Sequence, residues 1–287
     1  MMQAMNALRA GLALALSVAL TAPAVAEDAK RVVTLGGSVT EIAVALGAGD
    51  LLVARDSTST YPADITALPD VGYIRALSPE GVLSVSPDLI LAEADAGPPA
   101  AVDVLTAAGV PFLRMPGDPT PAGVVAKINA VAEALGRKAE GEALAASVQA
   151  GLTEAETRAA AVTDKKRVLF VLSLQGGRVM AGGEGSSAEG IIALAGGGNA
   201  ATGFRGYKQM TDEAVLAAAP DLILMMDREG DLAIGNADVM AHPTLSQTPA
   251  AQAGNIVRMD GMMLLGFGPR TPDAARALYG ALYPKAG

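Results

Sequence analysis

The sequence predicts an α/β protein of two similar lobes joined by one long helix, with a ligand cleft between the lobes. Three observations predict it. A motif recurs at a fixed offset. A strand-then-helix unit opens each half on the same plan. A helix-forming stretch rich in Ala, Glu, Lys and Leu lies between the halves.

The first 26 residues stand apart from this plan. Arg9 is followed by an apolar run from Ala10 to Leu20, and Ala24-Val25-Ala26 fits the small-x-small rule of a signal-peptidase site. Residues 1–26 are therefore expected to be a secretory signal, cleaved before Glu27. The apolar run is too short for a membrane anchor and ends in Thr21-Ala22-Pro23.

Residues 27–120 are expected to form the N-terminal lobe. Arg31 to Leu35 reads as a strand, and Ser38-Val39-Thr40-Glu41 reads as a capping box opening a helix to Gly47. Further on, Ser78-Pro79-Glu80-Gly81-Val82-Leu83 leads to Pro87-Asp88-Leu89-Ile90-Leu91. The serine caps a short helix, the glutamate sits where the helix dipole favours it, and the Leu-Ile-Leu run suits a parallel strand covered on both faces.

Residues 121–163 are expected to be the linking helix. Apolar residues recur at 124, 125, 128, 131, 132 and 135, and the stripe resumes at Leu144, Val148 and Leu152 after Gly136. At 1.5 Å per residue the helix spans about 60 Å, or about 35 Å if Gly136 breaks it. Such a helix stiffens the connection, so large hinge closure is not expected.

Residues 164–287 are expected to form the C-terminal lobe. Arg167 to Ser173 reads as a strand. A glycine-rich hairpin and the capping box Ser186-Ser187-Ala188-Glu189 follow. Thr211-Asp212-Glu213-Ala214-Val215-Leu216 then leads to Pro220-Asp221-Leu222-Ile223-Leu224, repeating the first-lobe motif at an offset of 133 residues. Facing α/β lobes put their strand carboxyl ends on a common cleft, so ligand-binding residues are sought in the loops there.

Composition excludes several classes. The mature chain of 261 residues carries 20 basic and 30 acidic side chains, a formal charge of −10. The longest basic cluster is Lys165-Lys166-Arg167, so nucleic acid is not an expected partner. There is no cysteine and one histidine, which excludes disulfides, iron–sulfur clusters and ordinary zinc sites, and makes Ser-His-Asp or Cys-His nucleophiles improbable. The missing cysteine also removes the usual lipid attachment point, so the chain is expected to be unanchored. His242, before Pro243, reads as a surface or capping residue. Gly182-Gly183-Glu184-Gly185-Ser186-Ser187 lacks the Gly-Lys-Ser/Thr ending of a phosphate loop and reads as a turn.

Aromatic residues are scarce, with five Tyr, four Phe and no Trp. Tyr279 and Tyr283 read as packing, and Tyr61 lies in a polar loop. Tyr73 immediately precedes the Ser78 helix and Tyr207 the Thr211 helix, so both are expected to face the cleft from matching places.

Three stretches carry a resemblance: Leu68-Pro69-Asp70-Val71-Gly72-Tyr73-Ile74-Arg75-Ala76-Leu77-Ser78-Pro79-Glu80-Gly81, Asp95-Ala96-Gly97-Pro98-Pro99 and Leu264-Leu265-Gly266-Phe267-Gly268-Pro269-Arg270-Thr271. With them, the mature chain resembles the periplasmic haem-binding proteins of bacterial haem ABC importers, within the wider group that binds cobalamin and siderophores. The resemblance implies a periplasmic carrier and not an enzyme. It implies that ferric haem b is the transported ligand and that Tyr73 is the axial ligand to the iron, with Arg75 beside it either bonding its oxygen or reaching a propionate. Tyrosinate is a recognised haem ligand, and a cationic iron with a nearby guanidinium favours the phenolate over a phenol whose ordinary pKa is about 10. Relatives with a second-lobe histidine differ here, because Leu172-Ser173-Leu174-Gln175-Gly176-Gly177 has none. One five-coordinate haem is therefore expected. Met180, Tyr207, Met225, Met226 and Arg228 are candidates for the cleft wall or for propionate contacts.

The resemblance also implies delivery to an inner-membrane ABC permease dimer with its ATPase, downstream of an outer-membrane haem receptor, by a monomeric carrier. In the wider family one exposed glutamate per lobe meets arginine pockets on the permease. The matching residues are Glu80 and Glu213, the pair that the internal repeat singles out. Two other readings remain: a siderophore- or cobalamin-binding protein of the same fold, and a tyrosinate-haem enzyme. The latter needs distal acid–base groups that one histidine in an unrelated loop does not supply.

Overall fold

The computed structural model describes residues 29–227 and 234–284. The expected signal segment and Arg228 lie outside the described residues. The first lobe contains β1 (Val32–Leu35), α1 (Gly37–Ala45), β2 (Leu52–Arg55), α2 (Pro79–Leu83), β3 (Leu89–Ala92), α3 (Pro99–Ala107) and β4 (Phe112–Arg114). Its four strands run parallel in the order β2-β1-β3-β4. Every residue of β1 and β3 is buried, as suits strands covered on both faces, and the one polar side chain among them, Thr34, accepts from the Thr40 hydroxyl at 2.8 Å. Short α2 is capped by Ser78, whose hydroxyl accepts from the Gly81 amide at 3.3 Å.

The 121–163 stretch is not one helix. It divides into α4 (Pro121–Ala134) and α5 (Lys138–Ala160) at Gly136, whose φ is +65°. The Gly136 amide donates to the Glu133 carbonyl at 3.2 Å, and the Arg137 amide to the Ala132 carbonyl at 2.8 Å. This is a Schellman C-cap, and the left-handed glycine at its end turns the chain out of the helix axis. A Cβ at Gly141 would lie 2.3 Å from the Ala132 Cβ, so α5 packs tightly against α4.

The second lobe continues with β5 (Arg167–Ser173), β6 (Met180–Gly182), α6 (Ser187–Leu194), β7 (Gly198–Asn199), β8 (Tyr207–Gln209), α7 (Asp212–Ala218), β9 (Leu222–Asp227), α8 (Asn236–Ala241), α9 (Pro249–Gln252), β10 (Ile256–Asp260), α10 (Gly261–Leu265) and α11 (Thr271–Leu282). Its sheet runs β10-β9-β5-β6-β8, with β7 pairing separately to β5. β10, β9 and β5 are parallel, and β6 turns back antiparallel before β8. Thr211 caps α7, accepting from the Ala214 amide at 3.2 Å. Thus the two copies of the repeated motif form the same capped helix and buried strand.

One apolar cluster crosses the whole molecule. It joins Val39 and Ile42 of α1, Val124 and Ile128 of α4, Val148 and Leu152 of α5, and Phe170 and Leu224 of the second sheet. Each such side chain contributes roughly 1.5–3 kcal/mol when fully buried. The lobes therefore share a core through the helices between them, and separating them would expose it.

The capping boxes came out differently. Ser186 caps α6 as expected, accepting from the Glu189 amide at 3.2 Å, while the Glu189 carboxylate accepts from the Gly185 amide at 2.6 Å. The expected box at Ser38–Glu41 is absent. α1 starts earlier, at Gly37 behind Gly36 with φ +113°, so Ser38 and Glu41 lie inside the helix and turn to other partners.

Candidate ligand-binding site

The loops leaving the strand carboxyl ends of the first lobe carry the site. Residues Asp70 to Gly72 run beside the end of β2, with the Val71 amide on the Arg55 carbonyl at 3.0 Å and the Ser57 amide on the Gly72 carbonyl at 3.0 Å. Gly72 then adopts φ +101°, a conformation that suits glycine, and Tyr73 leads into a 3-10 turn over Ile74–Ala76. Ile74 is buried and anchors the turn. Tyr73 and Arg75 flank it, and Tyr73 is 44% exposed.

The Arg75 guanidinium donates to the Tyr73 hydroxyl at 2.9 Å, with its carbon 5.7 Å from the ring centroid. The same guanidinium bonds the Asp95 carboxylate, from the loop after β3. Burial by itself lowers the Arg75 pKa, but the Tyr73 hydrogen bond and the Asp95 charge outweigh it and hold the pKa above its ordinary value. Arg75 thus stays cationic beside the phenol. Asp95 had only its place in a quoted stretch to mark it. Its bond to Arg75 spans 20 residues and left no periodic signal.

Across the lobe boundary, Tyr207 on β8 sits edge-on to Phe170, with centroids 6.3 Å apart and planes at 69°. It feels the charge of Arg75 from the facing lobe. Burial pushes the Tyr207 hydroxyl pKa up, against hydrogen bonds to the Ala188 backbone and the Ser187 and Ser186 side chains. This phenol keeps its proton at neutral pH. Met180 opens β6, half-buried, opposite Gln209, and Gln209 accepts from Arg178 at 3.2 Å. Met225 and Met226 are corrections. Both are buried on β9, Met225 completely, so neither walls a cleft. Arg228 was named for the same wall and lies outside the described residues.

A second set of polar residues joins the lobes at one junction. Glu41 on α1 is buried and accepts from Arg270 Nε at 3.0 Å and from its terminal nitrogen at 2.5 Å. Arg270 also pairs with Asp260 at 3.3 Å and stacks on Tyr61, 4.0 Å from the ring centroid. Beside it, Lys127 of α4 is only 3% exposed and donates to Ser38 at 2.8 Å and to the Gly266 carbonyl at 3.1 Å, while Ser38 donates to Glu93 at 2.6 Å. Burial lowers the Lys127 pKa, against the charges of Glu93, Asp95 and Glu41. A Cβ at Gly37 would lie 2.5 Å from the Met262 side chain of α10, so the two lobes meet here without a gap. Sequence reasoning gave Glu41 to a capping box and missed this junction.

The remaining singled-out residues are structural or exposed. Glu80 and Glu213 are both exposed on first helical turns. His242 is buried, and its Nδ1 accepts from the Thr244 and Leu245 amides at 3.2 Å each, so it caps a turn. Its Nε2 then donates to the Gly177 carbonyl at 3.1 Å. Tyr279 and Tyr283 pack together with centroids 5.1 Å apart. Among the described residues, no cluster of three or more His, Cys, Asp or Glu is arranged to hold a metal ion, and no helix is long and apolar enough to cross a membrane.

Comparison with known proteins agrees with this architecture. The chain is similar to the apo form of the periplasmic haem-binding protein RhuT from Roseiflexus sp. RS-1, at 38% identity and TM-score 0.84, over 88% of this chain and 98% of that one. It is similar to the periplasmic haem-binding protein BhuT in complex with two haems, at 41% identity and TM-score 0.82, over 88% and 97% of the two chains. The periplasmic vitamin B12-binding protein BtuF of Vibrio cholerae shares the fold at 26% identity and TM-score 0.74, over 88% and 96%. The family model described as periplasmic binding protein matches residues 32–262. Two α/β lobes on one plan, joined through paired helices, agree with that match, and the chain belongs to the periplasmic binding protein family of solute-binding proteins.

Proposed function

We propose that this protein captures ferric haem between its lobes through an axial Tyr73 phenolate and delivers it to an inner-membrane ABC permease. The observation that carries the reading is the exposed Tyr73 side chain with the Arg75 guanidinium on its hydroxyl at 2.9 Å. Ferric iron is a hard cation and takes a phenolate oxygen. The Arg75 guanidinium donates to that oxygen and orients it. The haem-binding relatives support the choice of cargo. The likeness to a vitamin B12-binding protein favours a second reading, in which cobalamin fills the same cleft. A phenol paired with a cation suits ferric iron better.

Tyr207, protonated and bonded to its own lobe, serves as wall and not as a second ligand. Met180 adds wall, and Arg228 remains a candidate for a propionate. Glu80 and Glu213, one on each lobe, are the proposed contacts to the two permease subunits. Cleavage before Glu27 would release the carrier to the periplasm unanchored.

Ferric haem is titrated into the purified apo-protein and the visible spectrum recorded. A one-to-one complex with a high-spin ferric tyrosinate signature is expected, and Tyr73→Ala should lose both the signature and most of the affinity. Identical binding by Tyr73→Ala removes the ligand assignment. Uptake of cobalamin with no response to haem moves the protein to the second reading.

A further inference from the structure

We propose that Asp95 is a positioning residue for the iron ligand: its carboxylate holds one edge of the Arg75 guanidinium so that the other edge stays on the Tyr73 oxygen. The inference rests on the haem reading above and adds a residue to it. A free arginine side chain samples many rotamers, and half of the Arg75 side chain is exposed. Left alone, it would spend little time on the phenol. Asp95 supplies the missing constraint, because its own backbone is fixed. Arg114 donates to the carbonyls on either side of it, Ala94 at 2.5 Å and Ala96 at 3.3 Å. The same loop is tied to the tyrosine segment, with the Gly97 amide on the Ile74 carbonyl and the Leu77 amide on the Gly97 carbonyl, both at 2.9 Å. Tyr73, Arg75 and Asp95 are thus held in one frame.

Both terminal nitrogens of Arg75 are thus engaged, one on the phenol and one on the Asp95 carboxylate. The pair itself adds little to folding, since both side chains are half exposed and screened by water. Its effect belongs to the geometry of the ligand.

The test measures haem release to an excess of a scavenging apo-globin, together with the visible spectrum, for the wild type, Asp95→Asn, Asp95→Ala, Arg75→Ala and Asp95→Ala combined with Arg75→Ala. Asp95→Ala should release haem about fivefold faster and move the tyrosinate band in the same direction as Arg75→Ala. Asp95→Asn, whose amide oxygen still accepts from the guanidinium, should fall between. In the Arg75→Ala background the Asp95 change should do nothing further. An equal effect in both backgrounds would mean that Asp95 acts on the loop and not through Arg75. Unchanged or slower release in Asp95→Ala would mean that its charge merely offsets Arg75. Either result overturns the proposal. A wild type with no tyrosinate band would instead bring down the haem reading, and this inference with it.

Discussion

The junction between the lobes makes a quantitative prediction. Arg270→Ala removes two hydrogen bonds from the Glu41 carboxylate and leaves it inside the protein, where its side chain is 6% exposed. Stripping one partner from a buried pair costs about 3–5 kcal/mol. The low end applies, because the Arg270 side chain is 19% exposed and water can enter the space it leaves. Over the 261 residues after position 26, an unfolding entropy of about 2.1 cal/mol/K per residue gives roughly 0.55 kcal/mol/K. A loss of about 3 kcal/mol then lowers the melting temperature by about 5 °C, read by calorimetry on the apo-protein at pH 7.

The pH dependence has a definite sign. Burial raises the Glu41 pKa and Arg270 opposes that rise without cancelling it, so the folded chain takes up this proton at a higher pH than the unfolded chain does. The group therefore favours folding below the ordinary carboxylate range and weakens it as pH climbs through the folded pKa. Arg270→Ala raises that pKa further. The deficit should grow from acid toward neutral pH and should largely vanish when Glu41→Gln is added. An unchanged melting temperature, or a double variant as unstable as Arg270→Ala alone, would refute the account of Glu41 as a buried charge held by Arg270.

Three further outcomes follow. Tyr207→Phe should leave the ferric spectrum unchanged and weaken haem binding by no more than about tenfold, the worth of one ordinary hydrogen bond; loss of the tyrosinate signature would make Tyr207 a ligand. Gly141→Ala should destabilise by about 1 kcal/mol in a urea melt, because overpacking against Ala132 at 2.3 Å outweighs the gain in helix propensity; a stabilised variant would show that α4 and α5 can move apart freely. Glu80→Ala with Glu213→Ala should abolish uptake in cells while sparing haem binding and costing at most about 1–2 kcal/mol, the favourable dipole interaction of two first-turn carboxylates; normal uptake would remove the docking proposal.

What the sequence disclosed and what it hid divide along a physical line. Local signals were readable. Ser78, Thr211 and Ser186 cap helices because each hydroxyl reaches an amide three residues on, and the Leu-Ile-Leu runs form buried strands because nothing in them is polar. Gly136 was marked as a break and is one: a Schellman cap redirects the chain there, and α5 from Lys138 to Ala160 is the long helix that remains. Tyr73 and Arg75 could be paired because they are two residues apart. Asp95 could not, nor could Glu41 with Arg270, which lie 229 residues apart. Ser38 and Glu41 misled for a related reason. The spacing of a capping box is satisfied by many pairs inside a helix, and only the observed start of α1 at Gly37 decides which it is. Met225 and Met226 likewise could not be sorted into wall or core without knowing which faces of β9 are covered.

The two tyrosines show how a repeated plan can yield unlike roles. Each precedes the capped helix of its lobe, Tyr73 before Ser78 and Tyr207 before Thr211. Their surroundings then separate them. Tyr73 stands on a turn at the end of a parallel sheet, with a cation on its oxygen and that cation braced by a carboxylate. Tyr207 lies on an edge strand against Phe170, and its hydroxyl is turned toward Ser186, Ser187 and the Ala188 backbone, where burial keeps it protonated. A phenol held by its own lobe in a desolvated place resists ionisation. On the proposed function, the iron-binding oxygen belongs on the first lobe and a neutral wall on the second.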